Sequence, residues 1–263
     1  MTSTLRLILL GFAGLALIAG FLLFAGASET DDWFSWTIEP PLSAAALGAF
    51  YWAAFALLLA GSRARSWAGA RPIAYPVLVI AVVLLVITLV HLDRFHTDRL
   101  FGVFWVAAYA VAPPLLAYGI AVTRGAAEPA AEGRPLPGLL RAALLVEGAV
   151  MLAAAAVMLL APDTAADLWP WALTPLTSRA LGAFILGVAL VGLFVAWENR
   201  LVLFEGTSLD YLALGILQLL AVALHSGDLG EDSASTAIYL AFLGLVVVTG
   251  AYGSIAARAF SRS

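Results

Sequence analysis

The chain has 263 residues, 63% of them hydrophobic and only 11% charged, with a mean hydropathy of +1.01. Soluble domains carry roughly 45–50% apolar and about 25% charged residues, so a water-soluble globule is excluded: it could not cover this much apolar surface. Thirteen arginines and no lysine stand against 17 acids, for a net charge of −4. No basic patch points to nucleic acid, and the absence of cysteine excludes disulfides, Cys-ligated zinc, iron–sulfur clusters and thiol catalysis.

A bilayer core of about 30 Å needs roughly 20 apolar residues per crossing helix. Eight stretches qualify, near residues 5–27, 42–60, 72–91, 101–122, 139–161, 178–197, 209–225 and 235–256. The expected fold class is therefore an all-α integral membrane protein with eight transmembrane helices. Ala25-Gly26-Ala27 looks like a signal-peptidase site. The preceding apolar stretch is long for a signal peptide, however, and it is expected to remain as a helix. The segments Trp33–Leu42 and Trp169–Leu176 combine Trp with Pro. They are expected to be non-helical and to lie at the interface with their indoles at headgroup depth.

Arginine sets the expected orientation. Arg6, Arg63, Arg65, Arg71, Arg124, Arg134, Arg141, Arg200, Arg258 and Arg262 fall on one side, and only Arg94, Arg99 and Arg179 on the other. By the positive-inside rule the first side, with both termini, is cytoplasmic, and the membrane is the bacterial inner membrane. The opposite side collects acids, among them Asp31, Asp93, Asp98, Asp167, Asp228 and Asp232.

The chain also repeats. Trp36-Thr37-Ile38-Glu39-Pro40 matches Trp171-Ala172-Leu173-Thr174-Pro175, an offset of 135; after Pro41 is skipped the offset is 134. Leu47-Gly48-Ala49-Phe50 then matches Leu181-Gly182-Ala183-Phe184, His91 matches His225, and Arg124 matches Arg258. Residues 1–135 and 136–263 thus read as a tandem parallel duplication of a four-helix unit, since an even number of spans makes both halves enter the membrane in the same direction. The patterns Ala44-x-x-x-Gly48 and Ser178-x-x-x-Gly182 predict close helix approach in each half. Pro113-Pro114 predicts a kink in the fourth span.

The residues that could carry chemistry are few. Glu147 is read as the only acid within a span, and an intramembrane carboxyl marks a functional site by default. Gln218 lies at similar depth, in hydrogen-bonding range if spans five and seven touch. Tyr211, Gln218 and His225 recur at seven-residue intervals, which nearly restores one helix face. Together they predict a solute or proton path, with Glu147 titrating and His225 as the outer gate. No cofactor is predicted, although His91, Asp93, His96 and Asp98 offer a divalent-metal set. His91 and His225 could also hold a metal or haem between them. The four-plus-four layout is similar to that of haem A synthase. That family uses a histidine pair in each half, whereas here each half has one histidine at a span end, beside the loop residue His96.

No Walker loop, HExxH, GxSxG or Rossmann fingerprint points to an enzyme. The expectation is a small-solute or proton-linked transporter whose partners are the lipid bilayer and a small solute or ion. Its rivals are a non-catalytic membrane scaffold or assembly subunit and a haem- or metal-binding redox subunit. The sequence names no protein partner or homo-oligomer.

Overall fold

The computed structural model describes residues 1–125 and 134–260, with side chains described as far as residue 256. The side chain of Arg258, and with it the Arg124–Arg258 match, lies outside the described residues, as does Arg262. Eight long helices follow one another: α1 Ser3–Ala25, α2 Pro41–Arg63, α3 Trp67–Val90, α4 Leu100–Thr123, α5 Gly138–Leu160, α6 Pro175–Glu198, α7 Leu201–Leu224 and α8 Ser233–Phe260. Each is long and apolar enough to cross a bilayer. This is the architecture of a multi-pass membrane protein.

Local chemistry sets the helix starts. Thr2, Ser66 and Thr174 each accept a hydrogen bond from a backbone N–H of the first turn. Pro41 and Pro175 occupy the first turn of α2 and α6, where a missing N–H costs nothing. Asn199 ends α6 in the left-handed conformation, φ 52°, so that α7 can begin almost at once. Pro113 and Pro114 lie within α4, which nonetheless runs unbroken from Leu100 to Thr123. The seventh helix begins eight residues earlier than the hydropathy of the sequence suggests, at Leu201 rather than 209.

The most enclosed helices are α2 and α6: 72% of the most apolar stretch of each is buried, against 22% in α8. α2 packs on α1 and, across the chain midpoint, on α7; α6 packs on α5 and, across the midpoint, on α3. α2, α3, α6 and α7 therefore make the centre of the molecule, with α1, α4, α5 and α8 outside. The halves are not two self-contained bundles.

Both small-xxx-small patterns sit at tight contacts. A methyl group added at Gly48 would come within 2.7 Å of the Phe24 backbone nitrogen in α1, and one at Gly182 within 2.9 Å of Met158 Cβ in α5. Small residues matter here because lipid offers no apolar drive for helix association.

Loops gather alternately at two ends. At the arginine-rich end the Met1 amino group donates to Arg65 O, Thr2 and Thr123 share a 2.6 Å hydrogen bond, and Arg71 of α3 pairs with Glu198 of α6. At the acidic end His96 N donates to Ser35 O and Leu42 N to an Asp228 carboxylate oxygen. The two Trp–Pro segments are irregular, as expected, but two of their indoles turn inward. Trp36 and Trp171 are each only 2% exposed, and Trp171 Nε1 donates to Ser43 Oγ of α2 at 2.9 Å. A buried indole that packs against aromatic neighbours gains more contact than one at a headgroup surface, so the expected interfacial anchors are core residues.

Candidate functional site

The polar residues inside the second half form two layers. The deeper one centres on Glu147 in α5, which has no exposed surface. Its Oε1 accepts a 2.6 Å hydrogen bond from Thr249 Oγ1 of α8, and its Oε2 has no partner among the described residues. Asp210 in α7 is 1% exposed, and among the described residues neither its Oδ2 nor the buried hydroxyl of the neighbouring Tyr211 has a partner. Tyr211 lies within electrostatic reach of both carboxyls. Its hydroxyl abuts Gly192 of α6, where any side chain would collide with it. Glu147 and Asp210 each stand nine residues from the start of their helix, Gly138 and Leu201, or roughly 14 Å along the axis. They therefore stand equally far along two helices that both start at the arginine-rich end.

Toward the arginine-rich end, Ser254 of α8 donates to Ser208 of α7 at 3.1 Å. Toward the acidic end lies the second layer. Gln218 donates to the Ala46 carbonyl of α2 at 3.0 Å, and its Oε1 accepts from the Tyr239 hydroxyl of α8 at 3.1 Å. Gln218 and Tyr239 face an apolar cavity of about 380 Å³ set between α5 and α8 and backed by α2, α6 and α7. Its lining residues nearest that layer, Val150 and Met151 of α5 and Val246 of α8, lie about one helical turn from Glu147 and Thr249. The cavity therefore stops one turn short of the carboxyl.

Two readings of the sequence need correction. Glu147 is not the only acid deep in a helix: Asp210, at the edge of the span read from the sequence, lies nine residues into α7. Glu147 does not bond Gln218: its partner is on α8, while Gln218 reaches α2 because α7 packs across the midpoint. Tyr211 and Gln218 are both buried. His225 is half-buried and ends α7 at the acidic end.

The outer histidines are not brought together as ligands. Arg179 Nη1 donates to His91 Nε2 at 2.6 Å, and since arginine cannot accept, that ring nitrogen is occupied. Burial and then the Arg179 guanidinium hold the His91 pKa below its ordinary value of 6.5. His96 Nδ1 lies 3.3 Å from Phe34 O, and Asp93 pairs with Arg94. Among the described residues no three His, Asp or Glu side chains gather as a metal set. The arrangement gives neither the four-residue metal site nor a free His91 for a haem.

Asp210, Thr249 and Tyr239 are the site residues that the sequence reading missed. The run Thr207-Ser208-Leu209-Asp210-Tyr211 was the available signal, but it lowered the local hydropathy and so concealed itself at a span edge. In comparisons with known proteins, no family model, curated protein or solved structure matches the chain.

Proposed function

We propose that the protein is a proton-linked carrier of a small solute in the bacterial inner membrane, with Glu147 as the group that binds and releases the proton. One observation carries this reading: Glu147 Oε2, Asp210 Oδ2 and the Tyr211 hydroxyl are all buried within their helices without hydrogen-bond partners among the described residues. An unpaired polar group in such a place costs on the order of 2–7 kcal/mol, and intramembrane carboxyls facing a bundle interior are typical of proton and solute pathways. Asp210, Tyr211 and the Ser208–Ser254 pair extend the polar track toward the arginine-rich end, which the positive-inside rule makes cytoplasmic together with both termini. Gln218 lines the cavity on the other side, and His225 ends α7 at the acidic end. The lack of lysine beside abundant alanine and arginine supports a high-GC bacterial source.

The architecture is read as a tandem duplication of the four-helix unit, residues 1–135 and 136–263, with parallel orientation. The packing supports this. α1 on α2 repeats as α5 on α6, and α2 on α7 repeats as α6 on α3, the reciprocity that a pseudo-two-fold axis along the membrane normal requires.

The test is pH-gradient-driven uptake of a panel of small solutes into proteoliposomes. Glu147→Gln should abolish uptake while the helical circular-dichroism spectrum stays unchanged. Equal uptake by the variant and the parent, or none by the parent, sinks the carrier reading. A second reading, a membrane scaffold, is favoured by the complete burial of Glu147 and its short bond to Thr249. In that case Glu147→Gln lowers the unfolding temperature and no solute moves at all.

A further inference from the structure

The cavity between α5 and α8 has a chemistry of its own. Its wall is apolar, and two aromatic rings, Trp169 and Tyr239, stand edge to face with centroids 5.3 Å apart. Its mouth at the acidic end carries Asp167 and Asp232, both exposed. Neither is in an ion pair among the described residues. Asp232 uses one carboxylate oxygen to accept from Ala234 N at 2.9 Å, which leaves the other free. Trp169 Nε1, on the cavity wall, is buried without an acceptor among the described residues. A volume of about 380 Å³ falls within the roughly 300–1,000 Å³ of sites for drug-sized molecules. The cavity lies between the two helices of the second half that are least wrapped by the rest of the protein, so it can be entered sideways from a bilayer.

We infer that this cavity binds an amphipathic organic cation: a bulky apolar body against α5 and α8, its positive charge between the aromatic rings and the Asp167 and Asp232 carboxylates. Three features converge on that class. Apolar walls select a body that partitions into lipid. Aromatic faces attract a cation that has shed its water. Two unpaired carboxylates at the mouth favour positive charge and oppose negative charge. A purely aliphatic tail would leave both carboxylates unused, and an anion would be repelled by them. The inference deepens the carrier reading and rests on it only for the step after binding; occupancy of the site is measurable without flux.

The experiment compares two ions of nearly the same size and shape and of opposite charge, tetraphenylphosphonium and tetraphenylborate. Equilibrium dialysis of the full-length protein in detergent should show saturable binding of the phosphonium and at least about tenfold weaker binding of the borate, as expected for two nearby carboxylates. Asp167→Asn with Asp232→Asn keeps the cap on α8 and should narrow that preference by about tenfold. Ile185→Tyr with Leu243→Tyr should fill the cavity and abolish saturable binding. Equal affinity for the two ions, or phosphonium binding that survives the tyrosine pair in a folded protein, overturns the inference. Phosphonium binding without pH-driven uptake keeps the site and removes the carrier reading. Uptake of other solutes with no phosphonium binding does the reverse.

Discussion

Under the 134-residue register of the proposed duplication, Ile185, Leu243 and Tyr239 of the second half align in sequence with Tyr51, Tyr109 and Trp105 of the first. The first-half residues make a plug. Tyr51 and Tyr109 share a 2.8 Å hydrogen bond, and Trp105 Nε1 donates to Thr88 Oγ1 at 3.0 Å while its ring lies 4.6 Å from that of Tyr109. In the second half the smaller Ile185 and Leu243 line an open cavity, and only Tyr239 remains to reach Gln218. The deeper polar residues divide in the same way: Glu147 matches Phe12, Asp210 matches Pro76 and Gln218 matches Leu84. At these matched positions the first half is thus filled with hydrogen-bonded aromatic groups, and the second holds space and carboxyls with an oxygen left unpartnered among the described residues. Similar helix packing supports both, so the contrast arises from side chains rather than from the scaffold.

That contrast can be broken from the first half. Tyr51→Ile with Tyr109→Leu removes the plug, and large-to-small changes of this kind cost about 3–5 kcal/mol. A large fall in unfolding temperature in detergent is expected, together with a second phosphonium site. A stable variant without new binding would mean that side-chain volume is not what separates the halves.

A smaller effect is expected at the matched glycines. Overpacking costs about 1–3 kcal/mol. Gly48→Ala should sit at the upper end, because its new methyl group meets backbone, whereas at Gly182 the nearest atom is a side-chain carbon. Thermal unfolding of the two variants side by side checks the order, and the reverse order would contradict the tighter approach in the first half.

Smaller again is Arg71→Gln, which removes the α3–α6 ion pair with Glu198. Arg71 is partly exposed, so a loss of about 1 kcal/mol or less is expected. The least effect is the titration of His91. Because its pKa is lowered in the folded protein, the unfolded chain takes up the proton first as the pH falls. Stability contributed by neutral His91 is then present above the ordinary value of 6.5 and declines below it. NMR should place the His91 midpoint below 6.5, and Arg179→Gln should move it upward. A midpoint that does not move would show that the Arg179 contact is absent in solution.

The eight helices were legible because an apolar run of bilayer length leaves a signal that needs no tertiary information. The close contacts at Gly48 and Gly182 were legible for a similar reason, since small residues at four-residue spacing can serve little else in lipid. Asp210 was obscured because the polar run that marks it also depresses the hydropathy used to find helix boundaries. Partners were not legible at all. Whether Glu147 meets Gln218 or Thr249 depends on which helix lies beside α5, and no periodicity in α5 records that. Trp36 and Trp171 misled for the opposite reason, because tryptophan beside proline reads as an interfacial anchor until the surrounding rings are known.

The cross-midpoint packing has a mechanical consequence. α2 rides on α7 and α6 on α3, so the two halves are interlocked and cannot rock against each other as rigid bodies without parting their most enclosed surfaces. On the proposed carrier reading, tilting or sliding of the peripheral pair α5 and α8 is the motion that leaves those enclosed surfaces in contact. The layer they would have to uncover is Met151 and Val246, a single turn of side chains, so a shear of a few ångströms would connect the cavity with the carboxyl beneath it.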